Sequence, residues 1–456
     1  MFDLDLARTL NRPGPRYTSY PTAPHFRDGL TAGAYAAALD ASNGPARPLS
    51  LYVHVPFCAK LCTYCGCHMQ VTHRPEKVEH YLGYLLREID LVAEHVGAGR
   101  GVRQVHWGGG TPNSLTPEQM ERLMAHLRRR FRFAPDAEVS LEGDPRTLTA
   151  EHLGGARRAG FNRLSLGVQS FDPRVQAAIG RVQPFSKVAE AVALAHYDGF
   201  RGIAFDLLYG LPHQTPETWG RTLDQALSLR PDRLSVFGYA HVPWMKKHQR
   251  LIDDAALPGP EERLRLFALA WERLTAAGYR HVGMDHFARP DDPLCLAQDA
   301  GTLQRNFQGY STHAGCDLLG FGVSAIGGLA RHYVQNEKGL PAYYGALDAG
   351  TLPVTRGLAL TDEDVLRRHV IMRIMCDFAL DKRAVETAFG VAFDAHFDGA
   401  LRALAELERL GVVVLGPDRI VVTEQGRPFV RNVAMAFDAY LRPAAQAERP
   451  RYSQTV

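Results

Sequence analysis

One pattern constrains this chain more than any other. Between residues 49 and 287, a short apolar run is followed by a polar or glycine-rich break and then a stretch of helical spacing, again and again. The apolar runs are 49–55, 102–107, 138–142, 163–168, 202–208 and 233–239. In the first helical stretch, 75–96, Val78, Tyr81, Leu82, Leu85, Ile89 and Val92 fall on one face. Thr116-Pro-Glu-Gln119 reads as a helix start, with proline at the first helical position and a capping box. Asp172-Pro173 and Thr215-Pro216 open further helices, and 149–160 and 261–277 are helical by pattern. Strands alternating with helices at this spacing imply βαβ units and a parallel sheet. Six repeats are fewer than the eight of a closed barrel. Residues 281–287 are a candidate seventh strand.

The first break is unusual. Four of the seven cysteines lie within ten residues, and Cys58, Cys62 and Cys65 have the spacing C-x3-C-x2-C. Pro56 stops the strand before them, so the thiols sit in a loop just past a strand end. Three thiolates suit an iron–sulfur cube whose fourth iron stays open to an outside ligand. A closed zinc site needs a fourth ligand and normally a distant second pair. Cys67 could be that ligand, but a one-residue gap after Cys65 is awkward for a tetrahedral knuckle. Disulfides and inert thiols are the remaining readings, and nothing in the chain suggests secretion.

The stretch resembles the radical S-adenosylmethionine (SAM) enzymes. The longer string Tyr52-Val-His-Val-Pro-Phe-Cys58, with Tyr64-Cys65-Gly-Cys67, looks like one branch, the oxygen-independent coproporphyrinogen III oxidases (dehydrogenases). Pro-Gly-Pro-Arg-Tyr-Thr-Ser-Tyr-Pro-Thr-Ala near the start, Gly283-Met-Asp-His-Phe-Ala-Arg-Pro290 and Arg305-Asn-Phe-Gln-Gly-Tyr310 carry the same likeness. It therefore covers nearly the whole chain, from about residue 12 onward.

The resemblance implies an α/β fold: an incomplete (β/α)6 radical SAM barrel with an N-terminal arm and a mainly helical C-terminal domain. It implies a [4Fe–4S] cluster on Cys58, Cys62 and Cys65, and two SAM molecules per chain. The activity implied is oxidative decarboxylation of two propionates of coproporphyrinogen III to vinyl groups, giving protoporphyrinogen IX in haem biosynthesis. A low-potential, flavodoxin- or ferredoxin-like electron donor is the expected partner. Two other readings stand beside it: a haem-binding relative (a haem chaperone) without oxidase activity, and a plain cluster carrier. A carrier needs neither furnished strand ends nor 456 residues.

Ligands in parallel α/β folds bind at the carboxyl ends of strands, and polar breaks cluster there. Gly108-Gly-Gly-Thr-Pro112, Glu142-Gly-Asp-Pro145, Gln169-Ser170, Asp206 and Tyr239-Ala-His241 each mark one end. Glycine lets a backbone approach a ligand closely. By resemblance, Gly109, Gly110 and Thr111 form a SAM-binding turn, and Tyr52, Ala240 and Ile326 touch the same SAM. Tyr64, Gln169, Arg181 and Asp206 match contacts to a second SAM. Glu142 can accept from a ribose or an ammonium group. Tyr52, Cys67 and Glu142 are the expected catalytic residues. Arg12, Arg16, Lys246, Lys247, Arg289 and Arg305 are candidate clamps for substrate carboxylates.

A net charge of +3 is too small to imply nucleic acid, and no apolar run is long enough to span a bilayer. The start lacks a basic segment and apolar core, so the expected location is cytoplasmic. Residues 1–48 read as an ordered strap because Tyr17, Tyr20 and Phe26 are unlike a disordered tail. Residues 31–40 suit a short helix. The catalytic barrel with its extension is expected over 49–345. Residues 346–456 follow as a winged-helix-like domain, with helices at 362–377, 381–389 and 394–410 and then a hairpin. Its acidity argues against a phosphate-binding face and for a cover over the barrel mouth. The chain is expected to act as a monomer.

Overall fold

The computed structural model describes residues 2–44, 47–441 and 453–455. Residues 1, 45 and 46 of the expected arm, and 442–452 and 456 of the expected C-terminal region, lie outside the described residues. Six strands form the parallel core: β1 (Leu49–Val55), β2 (Gly101–Gly109), β3 (Arg132–Gly143), β4 (Arg163–Gln169), β5 (Gly202–Tyr209) and β6 (Arg233–Gly238). They pair in chain order, all parallel. Helices Pro75–Glu94, Pro117–Arg130, Ala150–Ala159, Phe185–Tyr197 and Pro216–Ser228 make the crossovers. Thr116 caps the second of them in the expected capping box.

The two faces of this sheet differ. One face is apolar: Leu51, Val53, Val105, Trp107, Val139, Leu141, Leu164, Leu166, Ile203, Phe205, Leu234 and Val236 are all buried. The other positions, two apart along each strand, face a lumen and are mostly polar on β1 to β3, with Gly167, Ala204, Leu208 and Phe237 among those on β4 to β6. Near the amino ends, Ser50 bonds Gln104, Gln104 bonds Glu138, and Arg163 pairs with Glu138 at 2.7 Å. One step along, Tyr52 stacks on His106, which bonds Ser140. At the carboxyl ends stand His54, Glu142 and Asp206.

The barrel is not closed by hydrogen bonds. The expected seventh strand at 281–287 is instead two short strands, β7 (Arg280–Gly283) and β8 (His286–Ala288). Gly283 and Met284 have φ of 156° and 49°, so the chain turns back there. β8 pairs antiparallel to β6, and β7 forms that edge of the sheet. A seventh parallel strand lies at the opposite end, where β9 (Asp317–Phe321) pairs with β1. Beyond it β10 (Ile326–Gly328), β11 (His332–Asn336) and β12 (Val354–Ala359) run as an antiparallel meander, closed off by Arg27–Asp28. These strands escaped sequence reading because they are short and glycine-rich.

The arm is laid on the body. Thr31 caps a helix at Ala32–Ala41. Helix Leu4–Leu10 lies near Pro260–Ala276, with Phe2 edge-on to Phe267 at 5.3 Å. Tyr17 and Tyr20 are fully buried, donating to Asp438 and accepting from the Ala439 amide respectively. The C-terminal region has helices Asp362–Asp377, Lys382–Phe389 and Asp398–Arg409, with a sheet of Ala379–Asp381, Val413–Leu415 and Arg419–Val422. Its first helix packs on β7, on Pro293–Asp299 and on the strand Gln304–Asn306, beside the open flank past β6. Among the described residues, no helix is long and apolar enough to cross a membrane.

Asp317 welds β9 to β1. It is fully buried, paired with Arg47 at 2.7 Å and with Arg100, itself almost wholly buried. Removing one partner of a buried pair typically destabilises by 3–5 kcal/mol, because the other charge is stranded. Asp317→Ala should therefore lower stability by about 3–5 kcal/mol, read from the shift in a urea unfolding midpoint.

Candidate active site

The site grows from the end of β1. After Pro56 the chain makes a small pairing between Phe57–Cys58 and Gln70–Val71. The cysteine loop hangs between these two strands. Two other strand ends stitch it in place. The Thr63 amide bonds Ile179 O at 3.0 Å, just past helix Pro173–Ala178 that follows β4. From the segment after β6, Gln249 donates to Tyr64 O at 2.9 Å, His248 to Cys65 O at 2.7 Å and Lys246 to Cys67 O at 2.8 Å.

Positive groups surround the thiols. Arg146 and Arg181 both reach Cys62 Sγ, at 3.3 and 3.6 Å. Thr111 Oγ1 lies 3.3 Å from Cys58 Sγ. The Cys67 amide donates to Cys65 Sγ at 3.4 Å. The Cys67 thiol also bonds Cys65 and holds it down to about 6, while burial opposes this. Burial pushes the Cys58 thiol up to about 11. Among the described residues, no three His, Cys, Asp or Glu side chains converge to hold a single metal ion. A cube attaches each cysteine to a different iron, so its ligands do not need to converge. Three thiols in one loop, met by N–H and guanidinium donors, fit such a cluster.

The triple glycine lies against this loop. The Gly110 amide bonds Val55 O at 2.8 Å. A Cβ on Gly110 would sit 2.6 Å from the Pro56 backbone. On Gly109, whose φ is 116°, it would meet the His54 ring at 2.6 Å, and on Gly108 it would meet the Glu142 carboxylate at 2.6 Å. The glycines thus let three strand ends come together.

Behind the turn is a polar relay. Tyr52 Oη lies 3.1 Å from His54 Nδ1, and His54 Nε2 lies 2.9 Å from His68 O. A carbonyl only accepts, so Nε2 carries the proton and Nδ1 accepts from Tyr52. Burial drops His54 to about 4, which keeps it neutral. His106 bonds Glu142 at 2.8 Å, and the Gly109 amide donates to the same carboxylate at 3.3 Å. Burial works against the Glu142 charge, yet His106 and the amide outweigh it and hold the carboxyl below its usual range. Its side chain keeps 41% exposure, so the carboxylate faces open space. Asp206 goes the other way: burial, then the Glu142 charge, push it up to about 6, against bonds from Ser235 and Ser165.

The structure thus brings Tyr52, Cys58, Cys62, Cys65, Cys67, Gly109, Gly110, Thr111, Glu142 and Asp206 to one end of the barrel. Arg181 is buried there, ion-paired with Asp144 at 3.2 Å and donating to Gly167 O at 2.6 Å. Gln169 follows at the end of β4 with φ of 67°, its amide beside the Arg181 guanidinium at Gly167. Tyr64 packs on the small cluster of Val175, Ile179, Leu211, Tyr239 and Ile252. Ala240 is exposed after β6, and Ile326 opens β10, packed with Phe26 and Tyr333. Sequence reasoning assigned no role to His54, His106, Asp144, Arg146, His248 or Gln249. The first two were findable, since both lie on the polar face of their strands at the two-residue period.

Known proteins share this fold and much of this sequence. Residues 52–226 match the Radical SAM superfamily and residues 360–429 the HemN C-terminal domain. The oxygen-independent coproporphyrinogen III oxidase of Bradyrhizobium diazoefficiens is 50% identical, over 95% of this chain and 96% of the relative. That of Escherichia coli is 46% identical, over 98% and 97%. The solved structure of Escherichia coli coproporphyrinogen III oxidase (HemN), described as a radical SAM enzyme, superposes with a TM-score of 0.92 at 45% identity, covering 97% of this chain and 99% of that one.

Gly110→Ala tests the turn. Its methyl meets backbone rather than a pliant side chain, so the turn must move. SAM affinity should fall at least tenfold, about 1.4 kcal/mol, in equilibrium binding, while far-ultraviolet circular dichroism stays unchanged. The chain belongs to the oxygen-independent coproporphyrinogen III oxidase family of the radical SAM superfamily.

Proposed function

We propose that the chain is a radical SAM oxidase that decarboxylates two propionates of coproporphyrinogen III to vinyl groups, yielding protoporphyrinogen IX. The observation that carries this is near-full-length identity of 41–50% to relatives bearing that name, together with a cysteine loop set beside the Gly109–Thr111 turn. Cys58, Cys62 and Cys65 would hold the cluster. When bound, cluster and SAM together supply a 5′-deoxyadenosyl radical that removes hydrogen from the propionate β-carbon.

The chain's own residues do the rest. Gly109, Gly110 and Thr111 present backbone and hydroxyl to the amino-acid end of one SAM. Glu142, ionised and half open, accepts from its ribose or ammonium group. Tyr52, locked on His54 and His106, forms the wall behind it. Asp206, Gln169, Arg181 and Tyr64 surround the place of a second SAM, and the Ser235 and Ser165 hydroxyls orient Asp206. Cys67, one bond from Cys65, faces the same space. The setting is the cytoplasm, the molecule acts as a monomer, and its electrons come from a low-potential carrier.

Of the six cations considered for the substrate carboxylates, Arg16 and Arg305 are the best placed. Arg16 lies over the Phe237 ring, 5.6 Å from its centroid, and pairs with Asp285. Phe237 shares the lumen face of β6 with Ser235. Arg305 donates to Arg16 O, and its Nη1 has no partner among the described residues. Arg289 sits at the wrong end. Its amide bonds Asp232, ahead of β6, some 20 Å from the mouth at about 3.3 Å per residue.

The decisive assay reconstitutes the cluster without oxygen and supplies dithionite, SAM and coproporphyrinogen III. Protoporphyrinogen IX and 5′-deoxyadenosine should both appear. SAM cleavage with the porphyrinogen left intact would overturn the reading. A charge-assisted hydrogen bond is worth about 1.5–3 kcal/mol. Arg305→Ala should thus raise KM for coproporphyrinogen roughly 10- to 150-fold, while Arg289→Ala stays near wild type.

Asp206 adds a pH test. A carboxyl raised to about 6 in the fold binds its proton more tightly than in the unfolded chain. Stability from this group is therefore lost as pH climbs from about 4 to about 6. Asp206→Asn should flatten that part of the melting-temperature profile and lower activity, with the brown chromophore retained.

A further inference from the structure

Three strips of chain meet around the cysteine loop and turn one side of it to solvent: 58–67, 178–182 and 244–251. They are physically joined. Thr63 bonds Ile179 O, the Leu61 carbonyl lies against Gly180, and His248 and Gln249 bond Cys65 O and Tyr64 O. The outer side of this seam is unlike the rest of the surface. Leu61, Val182, Trp244, Met245 and Leu251 are exposed by 38, 67, 48, 72 and 70%. They are half of the ten large apolar side chains that are exposed among the described residues. Exposed apolar groups gathered in this way mark interaction sites.

The charge of the seam is one-sided. The strips carry Lys60, Arg181, Lys246, Lys247 and Arg250, and contain no aspartate or glutamate. Lys60, Lys247 and Arg250 are exposed, whereas Arg181 and Lys246 are tied to Asp144 and Cys67 O. The nearest acid along the chain after 251, Asp253, caps the Ala255 amide, and Asp254 bonds His241. An apolar centre with a cationic rim calls for a partner with an apolar centre and an anionic rim.

Position supplies the rest. The lumen side of the loop faces the glycine turn and Glu142, where SAM would lie. Electrons must then arrive from the other side, the seam. We infer that this seam is the docking surface for a small acidic protein carrying a one-electron flavin or iron–sulfur centre, an inference that rests on the proposed function. In the step itself the donor's centre loses one electron and the enzyme's cluster gains it. No bond forms or breaks and no proton moves.

The test uses cluster-loaded enzyme and an acidic flavodoxin as the probe. The variant is Lys60→Glu and Arg250→Glu combined. Calorimetry should find wild-type binding that weakens as salt rises, and binding at least tenfold weaker for the variant. In turnover, the half-saturating concentration of reduced flavodoxin should rise by a similar factor. Formation of 5′-deoxyadenosine with dithionite should match the wild type within twofold. Unchanged flavodoxin binding and kinetics in the variant would overturn the inference. An equal loss with dithionite would also overturn it, since the charges would then serve the loop. Loss of a dimer in sedimentation with unchanged flavodoxin dependence would assign the seam to a second copy instead. Because SAM cleavage is the readout, failure to convert coproporphyrinogen would sink the proposed function and leave this test standing.

Discussion

The structure depends on a sheet that is apolar on one face and polar on the other. Helices cover the apolar face, as in any α/β fold. The polar face cannot be left dry and unpaired, because an unsatisfied buried polar group is destabilising by about 1–3 kcal/mol. Here each polar side chain meets another across neighbouring strands. Ser50, Gln104, Glu138 and Arg163 satisfy one another near the amino ends. Tyr52, His106 and Ser140 do so in the middle. Only toward the carboxyl ends does this pairing run short. There Glu142 keeps an exposed side, and the proton affinities of Glu142 and Asp206 are pushed apart, one down and one up. The chemistry lies where the lumen's own pairing stops.

That split was half legible in the sequence. The apolar runs of β1 to β6 and their helix caps stand out, and so does the C-x3-C-x2-C loop. The same strands also alternate, polar at 50, 52 and 54, at 104 and 106, and at 138, 140 and 142. Such alternation is usually taken for a surface strand facing water. In an open barrel it marks an inner wall instead, and His54 and His106 go unnoticed for that reason. β9 to β12 escaped for another cause. They are three to six residues long, with glycines at 320, 327, 328 and 357, and pairing rather than propensity defines them. The candidate strand at 281–287 is not one strand, because a turn at Gly283 and Met284 folds it into an antiparallel pair.

An open barrel also needs something at its flank. The turn between β7 and β8 brings Asp285 there. Asp285 meets Arg16 from the arm and feels Arg305 and Arg431 as well. Three cations near one carboxylate leave an excess of positive charge, and burial with Arg16 pulls Arg431 down to about 9. Arg431 is held all the same, because its guanidinium donates to Gly14 O, Pro15 O and Gln454 O. Arm, hairpin and C-terminal helices are thus one construction around a charge cluster.

The charge cluster also ties the arm to residues 453–455. Gly14 N bonds Ser453 O, Thr455 N bonds Arg12 O, and Pro13 bridges Gln454. Closing so long a loop is not thermodynamically prohibitive, since each doubling of length adds only about 0.6 kcal/mol. Its effect is on timing. During synthesis the βα units emerge in order and can pack as they appear, but the arm's partners at 453–455 leave the ribosome only after all of them. The flank of a growing chain therefore stays unsealed until residues 453–455 have emerged, long after the strands that it borders.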